Sequence, residues 1–64
     1  MRLTAFWDLM DAQFGEAYAA SVAKDHVLAP LDGRTVNEAL ADGEDVKAIW
    51  VAVCQVLLVP ERLR

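Results

Sequence analysis

Residues 45–58 read DVKAIWVAVCQVLL, and this stretch decides the fold that the sequence predicts. Its apolar side chains recur at spacings of three and four residues, which is typical of a helix that buries one face. Asp45 is a good N-cap residue, and Pro60 is a helix-ending signal just beyond the last periodic position. The pattern therefore predicts a helix from Asp45 to about Leu58. Its main apolar stripe consists of Val46, Ile49, Trp50, Val53, Cys54 and Leu57.

This last helix also carries apolar side chains outside its main stripe, and only Lys47 and Gln55 clearly interrupt its apolar surface. A helix that is apolar nearly all round is normally central in its fold or covered by a partner. Periodicity leaves both alternatives open: the other helices wrap it completely, or it exposes a patch of the kind that marks a partner or self-association. The residues expected in such a patch are Trp50, Val51, Val56 and Leu58.

Two helices are predicted in the first half of the chain. A stripe that includes Phe6, Trp7 and Met10 predicts a helix from Thr4 or Ala5 to Phe14, with Thr4 as the N-cap. An alanine-rich segment predicts a second helix from Glu16 to Leu28, because alanine has the highest helix propensity. The Ala29-Pro30 pair should stop it, since the residue before proline avoids the α region.

A turn and a short third helix are predicted between these helices and the last one. Residues 30–34 form the turn, with Asp32-Gly33 at its tip. Thr35 and Glu38 have the spacing of a capping box, which opens a short helix that Gly43 ends. No alternation typical of a strand is visible. We therefore expect an all-α, compact bundle of three to four short helices.

Composition limits the classes of protein to which the chain belongs. Its 64 residues are expected to form one domain, residues 1–64, and 56% hydrophobic residues are too many for disorder. The formal net charge of −4 argues against general affinity for nucleic acid or anionic membranes. No apolar run approaches the ~20 residues of a membrane span. One cysteine and no visible signal peptide favour a cytoplasmic location.

No catalytic, cofactor or metal site is predicted. A nucleophilic pair would need Cys54 exposed beside His26, yet Cys54 falls in the apolar stripe, where a buried neutral thiol is the usual outcome. The acidic run Asp42-Gly43-Glu44-Asp45 lacks the ligand spacing of a calcium loop, so Asp45 is better explained as a helix cap. We expect no enzyme activity.

The second half of the chain also has a helix-turn-helix-like pattern. Two helices joined by a short turn with a glycine are the starting material of that motif. The DNA contacts would be Arg34, Lys47 and Arg62. Glu44 and Asp45 at the start of the would-be recognition helix argue against it, because phosphates would be repelled there. Direct DNA binding is therefore the alternative, and an ordinary pair of helices explains the same pattern.

Several segments, in order along the chain, carry a family resemblance: MRLT with Phe6-Trp7, FGEAY at 14–18, DHVL at 25–28, GRTV at 33–36, EAL at 38–40, Trp50 with AVC at 52–54, and Val59-Pro60. Together they resemble an uncharacterised family of very short actinobacterial proteins, a domain of unknown function. The resemblance implies a cytosolic helical protein with no assigned activity. Genes of that family often lie near those of the recombinase of homologous repair, which implies a DNA-repair setting.

The sequence thus favours a small non-enzymatic module that docks on an unidentified protein partner or on a second copy of itself. The last helix is its expected contact surface. A helix-turn-helix-like accessory that touches DNA is the alternative.

Overall fold

Four α-helices and one two-stranded hairpin make up residues 1–57, the part of the chain that the computed structural model describes. Their order is α1 (Leu3–Phe14), α2 (Glu16–Asp25), β1 (Val27–Leu28), a 3₁₀ turn (Ala29–Leu31), β2 (Arg34–Thr35), α3 (Val36–Ala41) and α4 (Val46–Leu57). The described residues are therefore mainly helical, as expected. The expectation of a purely α-helical fold is wrong, because the chain includes this hairpin.

The hairpin replaces the end of the predicted second helix. That helix stops at Asp25 rather than at Leu28, and His26 already has an extended backbone. Val27 then pairs with Thr35 and Leu28 with Arg34 in antiparallel register. The extended backbone sends consecutive side chains to opposite faces, so Leu28 is buried while Val27 is exposed. Strands of two residues are too short to show an alternating pattern in the sequence, which is why the prediction missed them.

The turn at the tip of the hairpin has the predicted residues. Asp32 and Gly33 both have positive φ angles, 58° and 76°. Aspartate and glycine are the residue types that adopt this left-handed conformation most readily. The predicted turn at Asp32-Gly33 is thus confirmed.

The two predicted caps in the second half of the chain are present. The Thr35 hydroxyl accepts a hydrogen bond from the Glu38 amide at 3.2 Å, and the Glu38 carboxylate accepts one from the Thr35 amide at 2.9 Å. Asp45 accepts a hydrogen bond from the Ala48 amide at 3.3 Å and so caps α4. The described part of α4 ends at Leu57, and the predicted end at Leu58 lies outside the described residues.

At the other end of the chain, the prediction that Thr4 caps α1 is wrong. The helix begins at Leu3, so Thr4 lies inside its first turn, and Arg2 occupies the cap position without a side-chain hydrogen bond. The Arg2 carbonyl instead accepts from the Phe6 amide at 3.0 Å.

The core forms where α1 meets α4. Phe6 of α1 packs edge-on against Trp50 of α4, with ring centroids 6.0 Å apart and planes at 85°. Ala19 and Ala23 of α2 are also buried, in keeping with the close helix approach that short side chains permit. The largest fully buried side chains come from α1, α2, the hairpin, α3 and α4: Phe6, Met10, Val22, Leu28, Val36, Ile49 and Val53. Every element thus contributes to one core.

Replacing Thr35 by alanine tests the capping box. Alanine removes the hydroxyl that accepts from the Glu38 amide, so the free energy of unfolding should fall by about 1 kcal/mol. Thr35→Ser is the matched control, since it keeps the hydroxyl. Urea unfolding measures both variants, and equal losses for alanine and serine would contradict a role of the hydroxyl as a cap.

Candidate interaction surface

A groove of about 320 Å³ runs beside α4 and is the main candidate for a contact site. Helix positions four apart lie on one side of a helix, so Lys47, Val51 and Gln55 form a row along α4. Met1 lies across the groove from the start of the chain. Trp50 and Cys54 complete the lining. The surface formed by these six residues is called the α4 groove below.

Val51 is the exposed apolar residue of the α4 groove. Its side chain is 44% exposed, although it lies in the middle of a helix whose other central apolar residues are buried. Lys47 and Gln55, on either side of it in the row, are exposed as well. A partner that covers this row would therefore bury an apolar centre between two polar ends.

Trp50 takes part in the groove differently from the way the sequence suggested. It is only 2% exposed, so it forms the wall of the groove and not a projecting contact. Its indole Nε1 is buried and has no hydrogen-bond partner among residues 1–57. Buried N–H groups nearly always have an acceptor, so this donor is an unusual feature of the site.

Val56 does not belong to the α4 groove. It is 38% exposed, but five residues separate it from Val51, which places it about 140° further around the helix. The structure thus brings together Trp50 and Val51 of the predicted patch and leaves Val56 elsewhere. Leu58, the fourth predicted residue, lies outside the described residues.

Met1 is the groove residue that the sequence analysis missed. The periodicity of α4 describes that helix alone and gives no signal for which distant residue faces it. Gln55 was identified only as an interruption of the apolar surface, although its spacing of four from Val51 places it in the same row.

Arg34, one of the residues suggested for DNA contact, is held by three hydrogen bonds. Its guanidinium donates to Glu44 at 2.8 Å, to Asp42 at 3.0 Å and to the Leu31 carbonyl at 2.8 Å. The hydrogen bond to Glu44, followed by that to Asp42, raises the pKa of Arg34 above its ordinary value. The two carboxylates neutralise the charge of this group, which weakens its attraction for a phosphate.

The other two suggested DNA contacts are Lys47 and Arg62. Lys47 lies on the rim of the α4 groove. Arg62 lies outside the described residues. The helix-turn-helix-like arrangement therefore remains a prediction from sequence.

A second groove, of about 340 Å³, lies between α1 and α2 and was not predicted. Trp7, Asp11, Glu16 and Asn37 contribute its larger side chains, with Ala20 and Ala23. Neither carboxylate takes part in an ion pair among residues 1–57. The groove is therefore acidic, in contrast to the α4 groove, whose lining within residues 1–57 holds Lys47 and no carboxylate.

The residues considered for catalysis and metal binding are placed as follows. Cys54 is 3% exposed, which confirms the predicted burial of its thiol. His26 is exposed and follows α2 as its C-cap. Within residues 1–57 no group of three or more histidine, cysteine, aspartate or glutamate side chains is arranged to hold a metal ion.

In the same range, no helix has the length and apolar character that crossing a bilayer requires.

The chain was compared with models of protein families. The model of a family described as protein of unknown function (DUF3046) matches residues 1–62. No curated protein and no solved structure matches the chain.

The burial of Cys54 predicts its reactivity toward a thiol reagent. In the folded chain the reaction should be slower than in urea by roughly a hundredfold or more, because the buried sulfur reacts only when the core opens. Ellman's reagent with and without urea measures the two rates. Similar rates would show that the thiol is open to solvent and that α4 is rotated relative to the structure.

Proposed function

We propose that this chain, which belongs to the DUF3046 family of proteins of unknown function, is a small non-enzymatic protein-interaction module. It docks on a protein partner through the α4 groove. The observation that carries the proposal is the exposure of Val51 beside a groove walled by Trp50.

The energetics of burial support a contact at Val51. Fully burying a valine side chain contributes about 1.5–3 kcal/mol, so covering the exposed 44% of Val51 is worth roughly 1 kcal/mol. That is modest by itself, but a contact that also covers Met1, which is 49% exposed, adds further apolar area.

The context of the proposal comes from the sequence. The family resemblance supports a DNA-repair setting and, with the lone cysteine, a cytoplasmic location. The DNA-repair setting and the cytoplasmic location are both part of what we propose. The partner in this reading is a protein rather than DNA, since the guanidinium of Arg34 is already occupied by two carboxylates.

The change Val51→Glu tests this function, with Val27→Glu as the matched control. Both valines are exposed, but Val27 lies on the hairpin and outside the groove lining. Glutamate at position 51 puts a charge in the apolar centre of the surface, so partner capture from a native cell extract should fall at least about tenfold. The Val27→Glu chain should capture as much as wild type.

Circular dichroism and urea unfolding should show both variants folded, because each replaced side chain is exposed. A partner retained equally by wild type, Val51→Glu and Val27→Glu would contradict docking through the α4 groove. So would the absence of any partner specific to the wild-type chain.

A further inference from the structure

We infer that the segment bound in the α4 groove is a short apolar peptide segment that carries one carboxylate. This inference rests on the proposed function and specifies its partner. It is drawn from the polar groups that the groove presents, from the unpaired indole of Trp50 and from the charge of the rest of the molecule.

The polar side chains of the α4 groove are mainly hydrogen-bond donors. Lys47 has an ammonium group with three donors and no acceptor, and the indole of Trp50 has one donor. Gln55 has both a donor and an acceptor in its amide. Among residues 1–57, neither an aspartate nor a glutamate lines the groove. A ligand that supplies oxygen acceptors therefore complements this surface better than one that supplies donors.

The unpaired indole N–H of Trp50 is the feature that indicates a ligand. Its side chain is 2% exposed, and its Nε1 has no acceptor among residues 1–57. A buried donor in this state is less stable than one that is hydrogen-bonded. Trp50 lines the groove, so a shift of its side chain on binding would bring this donor to an oxygen of the bound segment and relieve the deficit.

Lys47 indicates that the charged group of the bound segment is negative. It belongs to neither of the ion pairs found in residues 1–57, both of which use Arg34. A carboxylate is the acceptor that pairs best with an ammonium group at the edge of an apolar surface. The whole chain has a net charge of −4, however, and would repel a strongly acidic partner. A near-neutral, apolar segment with one aspartate or glutamate satisfies both conditions.

A second copy of the chain fits the groove less well. Two antiparallel α4 helices centred on Val51 would place Lys47 of one copy opposite Gln55 of the other. The row formed by Lys47, Val51 and Gln55 contains no carboxylate, so each ammonium group would lack an ionic partner. Each copy also carries the same net charge of −4, which opposes association.

Selection from a random peptide library displayed on phage tests the inference without a known partner. The full chain is the target, the Val51→Glu chain is the counter-target, and the Val27→Glu chain is the control against which the selected peptides are tested. We expect peptides that share apolar positions and one aspartate or glutamate, and that bind the Val27→Glu chain but not the Val51→Glu chain. Changing that acidic residue to its amide should weaken binding about tenfold.

Reversing the charge at position 47 is the second part of the experiment. Lys47→Glu should weaken the acidic peptides about tenfold or more and should favour versions in which lysine replaces the acidic residue. Two-dimensional NMR adds a signature at the indole. The Nε1–H resonance of Trp50 should shift on binding as it gains an acceptor, whereas that of Trp7, which lies in the other groove, should not.

The outcomes separate the inference from the function on which it rests. Peptides that depend on Val51 but carry no carboxylate, or that ignore Lys47→Glu, would overturn the inferred partner chemistry and leave docking intact. Failure to select any peptide that depends on Val51 would count against the α4 groove itself. A wild-type dimer in light scattering that Val51→Glu dissociates would replace the peptide by a second copy.

Discussion

The edge-on packing of Phe6 against Trp50 is the contact on which the surface of this molecule depends. It joins α1 to α4, and it sets the rotation of α4 about its own axis. With Trp50 turned inward, Ile49 and Val53 enter the core, and Val51 faces away from it. In this orientation the indole Nε1 is buried and has no acceptor among residues 1–57. Both features that mark the α4 groove as a binding surface thus belong to this orientation of α4.

Local signals in the sequence predicted local structure well. The capping box at Thr35 and Glu38, the cap at Asp45 and the turn at Asp32-Gly33 each depend on a few neighbouring residues, and all three are present. The hairpin was missed because its pairing joins residues six and eight positions apart, and two-residue strands carry no periodic pattern. Helix propensity alone also predicted too long a second helix. The chain instead leaves the helix and becomes extended at Val27–Leu28, because burying Leu28 stabilises the fold more than continuing the helix would.

The candidate site could be predicted only in part for a related reason. The surplus of apolar residues in α4 left open whether some of them would be exposed, and in the structure Val51 and Val56 are. Which of them share a surface depends on the rotation of α4 and on which residues pack opposite it. The hydrophobic periodicity of the sequence determines neither. Lys47 is the clearest example of a residue whose surroundings the sequence did not predict. The sequence suggested it as a DNA contact, whereas the structure places it on the rim of an apolar groove.

Site-specific photocrosslinking in native cells tests the central claim, that the α4 groove is a contact surface, most directly. A benzophenone amino acid at Gln55 lies in the groove lining, and the same amino acid at Lys24 on α2 serves as the reference position. The account predicts a discrete adduct with another protein from position 55, lost on adding Val51→Glu, and none from position 24. An absence of adducts at position 55, or equal adducts from both positions, would contradict it.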